Sequence, residues 1–137
     1  GHGGSYNGMT AEEMTIKIRT FHFELIARMM KKLEAVPEGD GTMLDNTIIV
    51  YLSDSAEGHH SRCGQWPFVL FPGKNTGLAQ GRYIDYPYYG ADGHREIGNL
   101  YTTLLQVAGQ KRDYFGHHDL MLTGKATGNG PLAPLLV

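Results

Sequence analysis

The run Thr47-Ile-Ile-Val-Tyr-Leu-Ser53 constrains this chain more than any other segment. It is apolar and rich in β-branched residues, and it does not alternate with polar ones. That pattern predicts a strand covered on both faces, as in a parallel sheet. The strand then stops at Asp54-Ser-Ala-Glu57-Gly-His59-His60, which brings carboxylates and imidazoles together in one short stretch. In open α/β sheets, ligands bind in the crevice beyond the carboxyl ends of the strands. Asp, Glu and His are also the side chains that hold zinc and other divalent metals. The expectation from this segment is a metal or anion site at the top of a parallel sheet.

The flanking segments place that strand in an α/β layer. Thr10-Ala-Glu-Glu13 has the form of a capping box, in which a Thr hydroxyl and a Glu carboxylate each take up a free amide at a helix start. The spacing of Met14, Ile18, Phe21, Leu25, Met29, Leu33 and Val36 predicts a helix over about 10–36 with one apolar stripe. Lys31 and Lys32 suit its C-terminal end, and Pro37 and Gly39 stop it. A strand is expected over 47–53 and a second over 67–71, where Pro67 fits only as the first residue. Gly81-Arg-Tyr-Ile-Asp85 reads as a short third strand. A second helix over about 96–108 carries Ile97, Leu100, Tyr101, Leu104, Leu105 and Ala108 as its stripe, with Gly109 as C-terminal cap. The order is helix, strand, strand, short strand, helix: an α/β arrangement with too few strands for a complete doubly wound sheet.

With 137 residues the chain has room for a single α/β domain with a core, or for the C-terminal fragment of a larger one. A net charge of -2 gives no footing for a nucleic-acid partner. No apolar run approaches the ~20 residues a membrane span requires. Cys63 is the only cysteine, which excludes an internal disulfide and a thiolate-rich metal site. It reads as a small packed side chain more readily than as a nucleophile. The chain starts at Gly1 rather than Met and has no signal peptide of its own, so either a start was removed or a longer chain precedes it. Abundant glycine near both ends suggests segments that lie on something larger.

The candidate functional residues each carry two readings. Asp54 follows the strand directly, where a carboxylate binds a divalent metal, orients a histidine or caps a turn. His59 and His60 are adjacent, so their side chains diverge and one of them at most joins Asp54; both also read as a surface pair. Glu57 is an alternate ligand or a solvated loop residue. His94 stands at the entry to the second helix, beside free backbone amides. Arg95, next to it, is a candidate for an anionic oxygen or an ordinary exposed arginine. His117 and His118 fall in a loop after Gly116, and His22 lies mid-helix. No pair has the spacing of a strong metal motif.

Leu44-Asp-Asn-Thr-Ile-Ile-Val-Tyr-Leu-Ser-Asp54, Gly58-His-His60 and Trp66-Pro-Phe-Val-Leu-Phe-Pro-Gly73 resemble the late part of the alkaline phosphatase and sulfatase superfamily. Gly93-His-Arg-Glu-Ile-Gly-Asn-Leu-Tyr-Thr-Thr-Leu-Leu-Gln-Val-Ala-Gly109 resembles its closing helix. A narrower resemblance, carried by Pro37-Glu-Gly-Asp-Gly-Thr-Met-Leu-Asp-Asn46, is to a domain-of-unknown-function family of exported bacterial proteins that looks like a distant branch of that superfamily. The resemblance spans about residues 10–118. It implies the C-terminal portion of a parallel-sheet sandwich and a periplasmic or extracellular location. It also implies a metal ligand at Asp54, joined by His60 and His94 with His59 as an alternate. Beside it, the residues themselves offer Glu57 as a further alternate, Arg95 for an anion, and zinc or calcium as the divalent metal. In the superfamily a histidine follows the ligand Asp; here that position is Ser55, and His59 or His60 would replace it. The superfamily nucleophile lies near the start of a longer domain, and nothing in this chain matches it. The function implied is an exported accessory or structural subunit with a partial or degenerate metal site. The alternative is a metal-dependent phosphate- or sulfate-ester hydrolase whose nucleophile comes from another chain or from an N-terminal segment outside these residues.

Overall fold

The computed structural model describes residues 5–54, 64–122 and 128–137. The chain divides into two compact units, Gly1–Asp45 and Asn46–Val137.

The first unit is dominated by helix α1, Ala11–Glu34. Its start follows from the sequence. Thr10 is extended (φ -68°, ψ 163°) and accepts from the Glu13 amide at 3.2 Å, while the Glu13 carboxylate accepts from the Thr10 amide at 2.7 Å. That reciprocal pair satisfies two of the amides a helix start leaves open. Glu12 and Glu13 in the first turn and Lys31 and Lys32 in the last suit the helix dipole. After Ala35, strands β1 (Pro37–Glu38) and β2 (Gly41–Thr42) pair antiparallel across Gly39-Asp40. Gly39 takes the positive φ of 57° that a tight two-residue loop requires at its first position. Asp45 secures the hairpin by accepting from the Thr42 amide at 2.8 Å.

The stripe expected to bury α1 is not buried. No residue of the helix is buried, and Ile18, Phe21, Leu25 and Met29 are all exposed. A second apolar line, Ile16, Phe23 and Met30, runs on the opposite side of the helix, and Ile16 and Phe23 are exposed as well. The 3.6-residue period identifies a helix whichever side is covered; it does not say what covers it.

The second unit holds the core. Strands β3 (Ile48–Leu52) and β4 (Phe68–Pro72) pair in register from Ile48↔Pro72 to Leu52↔Phe68. The Gly73 amide donates to Thr47 O at 2.8 Å at one end, and Trp66 Nε1 donates to Ser53 O at 2.8 Å at the other. The pair is antiparallel, which corrects the parallel sheet expected from the sequence. An unbroken apolar run reports that both faces are apolar, not the direction of its neighbour. Among the described residues the sheets are two small antiparallel ones, so the fold is a mixed α+β arrangement and not a parallel-sheet sandwich. Residues 81–85 form no strand. Instead Leu78 bridges Leu136, with the Ala79 amide donating to Leu135 O at 2.8 Å.

Helix α2 spans Ile97–Val107 and ends at Ala108, followed by Gly109 at φ 80° as the expected cap. It is covered on more than its apolar stripe. Leu100 is fully buried, but so are Asn99, Thr102 and Thr103. Thr102 and Thr103 return their hydroxyl protons to Gly98 O and Asn99 O, one turn back. Thr103 Oγ1 also accepts from the Leu132 amide at 2.8 Å, which ties the C-terminal segment to the helix. The apolar core is Ile49, Leu78, Leu100, Leu122 and Leu132.

Candidate functional site

The polar residues of the second unit gather around the N-terminal end of α2. His94 enters this region through a turn in which its own amide donates to Ala91 O at 3.1 Å. Its ring Nδ1 lies 3.0 Å from Pro87 O. A carbonyl only accepts, so Nδ1 carries a proton, and in the neutral ring it is Nε2 that offers the lone pair. The ring of Tyr89 meets the imidazole edge-on, with centroids 5.7 Å apart. Tyr89 is fixed in turn by donating to Asp119 Oδ2 at 2.7 Å. Orienting a histidine through its far nitrogen is how proteins prepare an imidazole to accept a proton or a metal.

Arg95 turns back on the backbone. Its Nη1 donates to His94 O at 3.1 Å, and its guanidinium lies against Gly128, where a Cβ would come within 3.1 Å of Nη1. It also faces Tyr86, whose hydroxyl is buried without a hydrogen-bond partner among the described residues. Burial raises the Tyr86 pKa, and the positive charge of Arg95 opposes that rise.

Glu96 precedes α2 and is extended (φ -90°, ψ 162°), with its amide bonded to Asn99 Oδ1 at 2.9 Å. Its carboxylate is the hub of the region. Oε2 lies 2.5 Å from His118 Nδ1, and Oε1 accepts from the Asp119 amide at 2.7 Å. Tyr114 adds a third hydrogen bond and stacks on His118 with centroids 3.8 Å apart. Desolvation works to raise the Glu96 pKa, but the hydrogen bonds from His118, Asp119 and Tyr114 outweigh it and hold the carboxyl below its ordinary value. His118 is held above its ordinary value, first by Glu96 and then by Asn129 Oδ1, which lies 2.7 Å from Nε2. The two directions agree on an ion pair. Burial and the Glu96 charge push the Tyr114 phenol upward, so it remains a donor.

Asn99 binds this end of the helix to the C-terminal segment. Its Nδ2 donates to Gly128 O at 2.8 Å and to Gly130 O at 2.9 Å. With Oδ1 accepting from the Glu96 amide, the fully buried amide is satisfied at both ends.

The candidates read from the sequence fall out differently. Asp54 is exposed in the turn directly after β3, as expected from the strand's end. His94 and Arg95 sit side by side before α2. Glu57, His59 and His60 lie outside the described residues, as do Ser55 and Cys63. Among the described residues, no three His, Cys, Asp or Glu side chains are grouped so that they could hold a metal. Likewise none of the described helices is long and apolar enough to cross a membrane.

Sequence reasoning passed over the Glu96–His118–Asn129 line and the role of Asn99. One signal for it was present. Asn99, Thr102 and Thr103 interrupt an otherwise apolar helix, and polar residues there demand partners. Comparison with known protein families, curated proteins and solved structures found no match to this chain.

Proposed function

We propose that this chain is an exported alkaline phosphatase/sulfatase-like protein of accessory or structural character, carrying a partial metal site. One observation carries the reading. At the start of α2, Glu96, Asp119 and His118 are engaged with each other and with Tyr89, Tyr114 and Asn129. His94 Nε2 is thus what this end of α2 has to offer a ligand. The resemblance supplies Asp54 and His60 as its partners, with His59 as an alternate; the residues themselves offer Glu57 as a further alternate, and zinc or calcium as the metal. The remaining groups would come from another chain or from a preceding segment. A periplasmic or extracellular location belongs to the same reading.

A second reading is favoured by the His94 tautomer. With Nδ1 committed to Pro87 O, Nε2 is ready to ligate. In that case the protein is a metal-dependent phosphate- or sulfate-ester hydrolase, and its metal polarises the ester oxygen and activates a nucleophile supplied from outside this chain. Arg95 would then have to leave His94 O to reach an anion.

Crystals of the natural full-length protein grown with zinc or calcium separate the two readings. Anomalous density within ~2.0–2.6 Å of both an Asp54 oxygen and His94 Nε2 supports the hydrolase. Density there that stays weak or absent at saturating metal supports the accessory role with its partial site.

A further inference from the structure

His118 stands between two acceptors. Nδ1 meets Glu96 Oε2 at 2.5 Å, and Nε2 meets Asn129 Oδ1 at 2.7 Å. An imidazole serves two acceptors at once only with a proton on each nitrogen. The ring cannot easily swing to a different arrangement, because it is stacked on Tyr114 at 3.8 Å.

Among the described residues, the groups around it come from the start of α2 and from the segments 114–119 and 128–129. Glu96 comes from the start of α2 and also binds the Asp119 amide and Tyr114. The Asp119 carboxylate is turned elsewhere, toward the Tyr89 hydroxyl and the Met121 amide. Arg95 lies against Gly128, next to Asn129. Asn129 itself is exposed and walls an open groove with Lys111, Arg112 and Asp113.

We propose that His118 and Asn129 form a proton-reading switch: when Nε2 loses its proton, the Asn129 amide turns over, so that Nδ2 donates to the bare nitrogen and Oδ1 faces away. The proton leaves to water, to which 36% of the His118 side chain is open. The nitrogen that loses it is Nε2, because Nδ1–H remains bonded to a carboxylate. The two ends of an amide have nearly the same shape, so the half-turn needs no repacking. Gly128 O and Gly130 O stay on Asn99 in both states. The change is therefore confined to one side chain and to the groove wall it forms. A donor facing that groove below the transition becomes an acceptor above it. This inference does not depend on the functional reading above.

Nitrogen-detected NMR of the full chain across the His118 titration tests it. The Asn129 side-chain amide signals should move with the same midpoint as His118 Nε2, while Nδ1 stays protonated. Asn129→Asp offers no donor for a bare nitrogen and adds a charge, so it should raise the His118 midpoint, by roughly one pH unit. Asn129→Ala removes an acceptor from the charged ring and a donor from the neutral one, so it should leave the midpoint near the wild-type value, whereas a fixed acceptor lost to Ala would lower it clearly. Asn129 is exposed, and unchanged far-ultraviolet circular dichroism would show that both variants fold. Asn129 amide signals that stay constant through the His118 titration would overturn the proposal. So would equal midpoints in the Asp and Ala variants.

Discussion

The hydroxyl end of Tyr114 lies against Gly98. A Cβ at Gly98 would overlap the Tyr114 hydroxyl and ring and come within 2.8 Å of Phe115 O. The missing side chain is what lets Tyr114 reach across to Glu96 and stack on His118.

Gly98→Ala should therefore destabilise the second unit by about 1–3 kcal/mol, the usual range for overpacking a close contact. Urea unfolding of Gly98→Ala against wild type reads this. Repeating it in a Tyr114→Ala background should recover part of the loss, because much of the obstructing group is then gone.

Asn99 makes three hydrogen bonds from a fully buried position. Asn99→Ala should strand the Gly128 and Gly130 carbonyls and cost about 2–4 kcal/mol. Asn99→Asp should be worse, since a carboxylate would face two carbonyls. Hydrogen exchange at Leu132, whose amide is held by the neighbouring Thr103, should quicken in both variants.

The Glu96–His118 pair makes stability depend on pH in two limbs of opposite sign. His118 is raised in the fold, so its contribution is full below the ordinary imidazole value of 6.5 and is lost as pH rises through the raised one. Glu96 is lowered, so its contribution is full above the ordinary carboxyl value of 4.5 and is lost as pH falls through the lowered one. The pair contributes most between 4.5 and 6.5. Thermal unfolding of wild type and Glu96→Gln at pH 5.5 and 8.5 should differ more at the lower pH. A difference that grows toward pH 8.5 would contradict the pairing.

Thr10 opens α1 with both halves of a capping box. Thr10→Ala should cost about 1 kcal/mol of helix stability. The loss should appear as fraying at Ala11 to Met14 in amide exchange, with residues 97–107 unchanged.

Much of the element order was legible because it rests on local chemistry. Thr10 and Glu13 start α1, Pro67 and Gly73 bound β4, and Gly109 ends α2, each for reasons contained in a few neighbouring residues. Strand direction was not legible. Ile48 to Leu52 would read the same beside either neighbour, and pairing with Phe68–Pro72 is a long-range choice. The burial of α1 was not legible either, since its two apolar lines name no partner. At the site, Asp54 and His94 stood out as isolated residue types near element ends. The link from Glu96 to His118 and Asn129 joins residues 22 and 11 positions apart, and no spacing rule encodes such contacts.

In the proposed function Asp54 and His94 are the part of the metal site that the described residues would contribute. Metal analysis of the purified natural full-length protein, combined with hydrolysis of aryl phosphate and aryl sulfate esters by wild type and Asp54→Ala, tests it most directly. A partial site should give substoichiometric zinc or calcium and no hydrolysis above the Asp54→Ala background. One equivalent of metal, with ester hydrolysis that disappears in Asp54→Ala, would contradict it and establish the hydrolase instead.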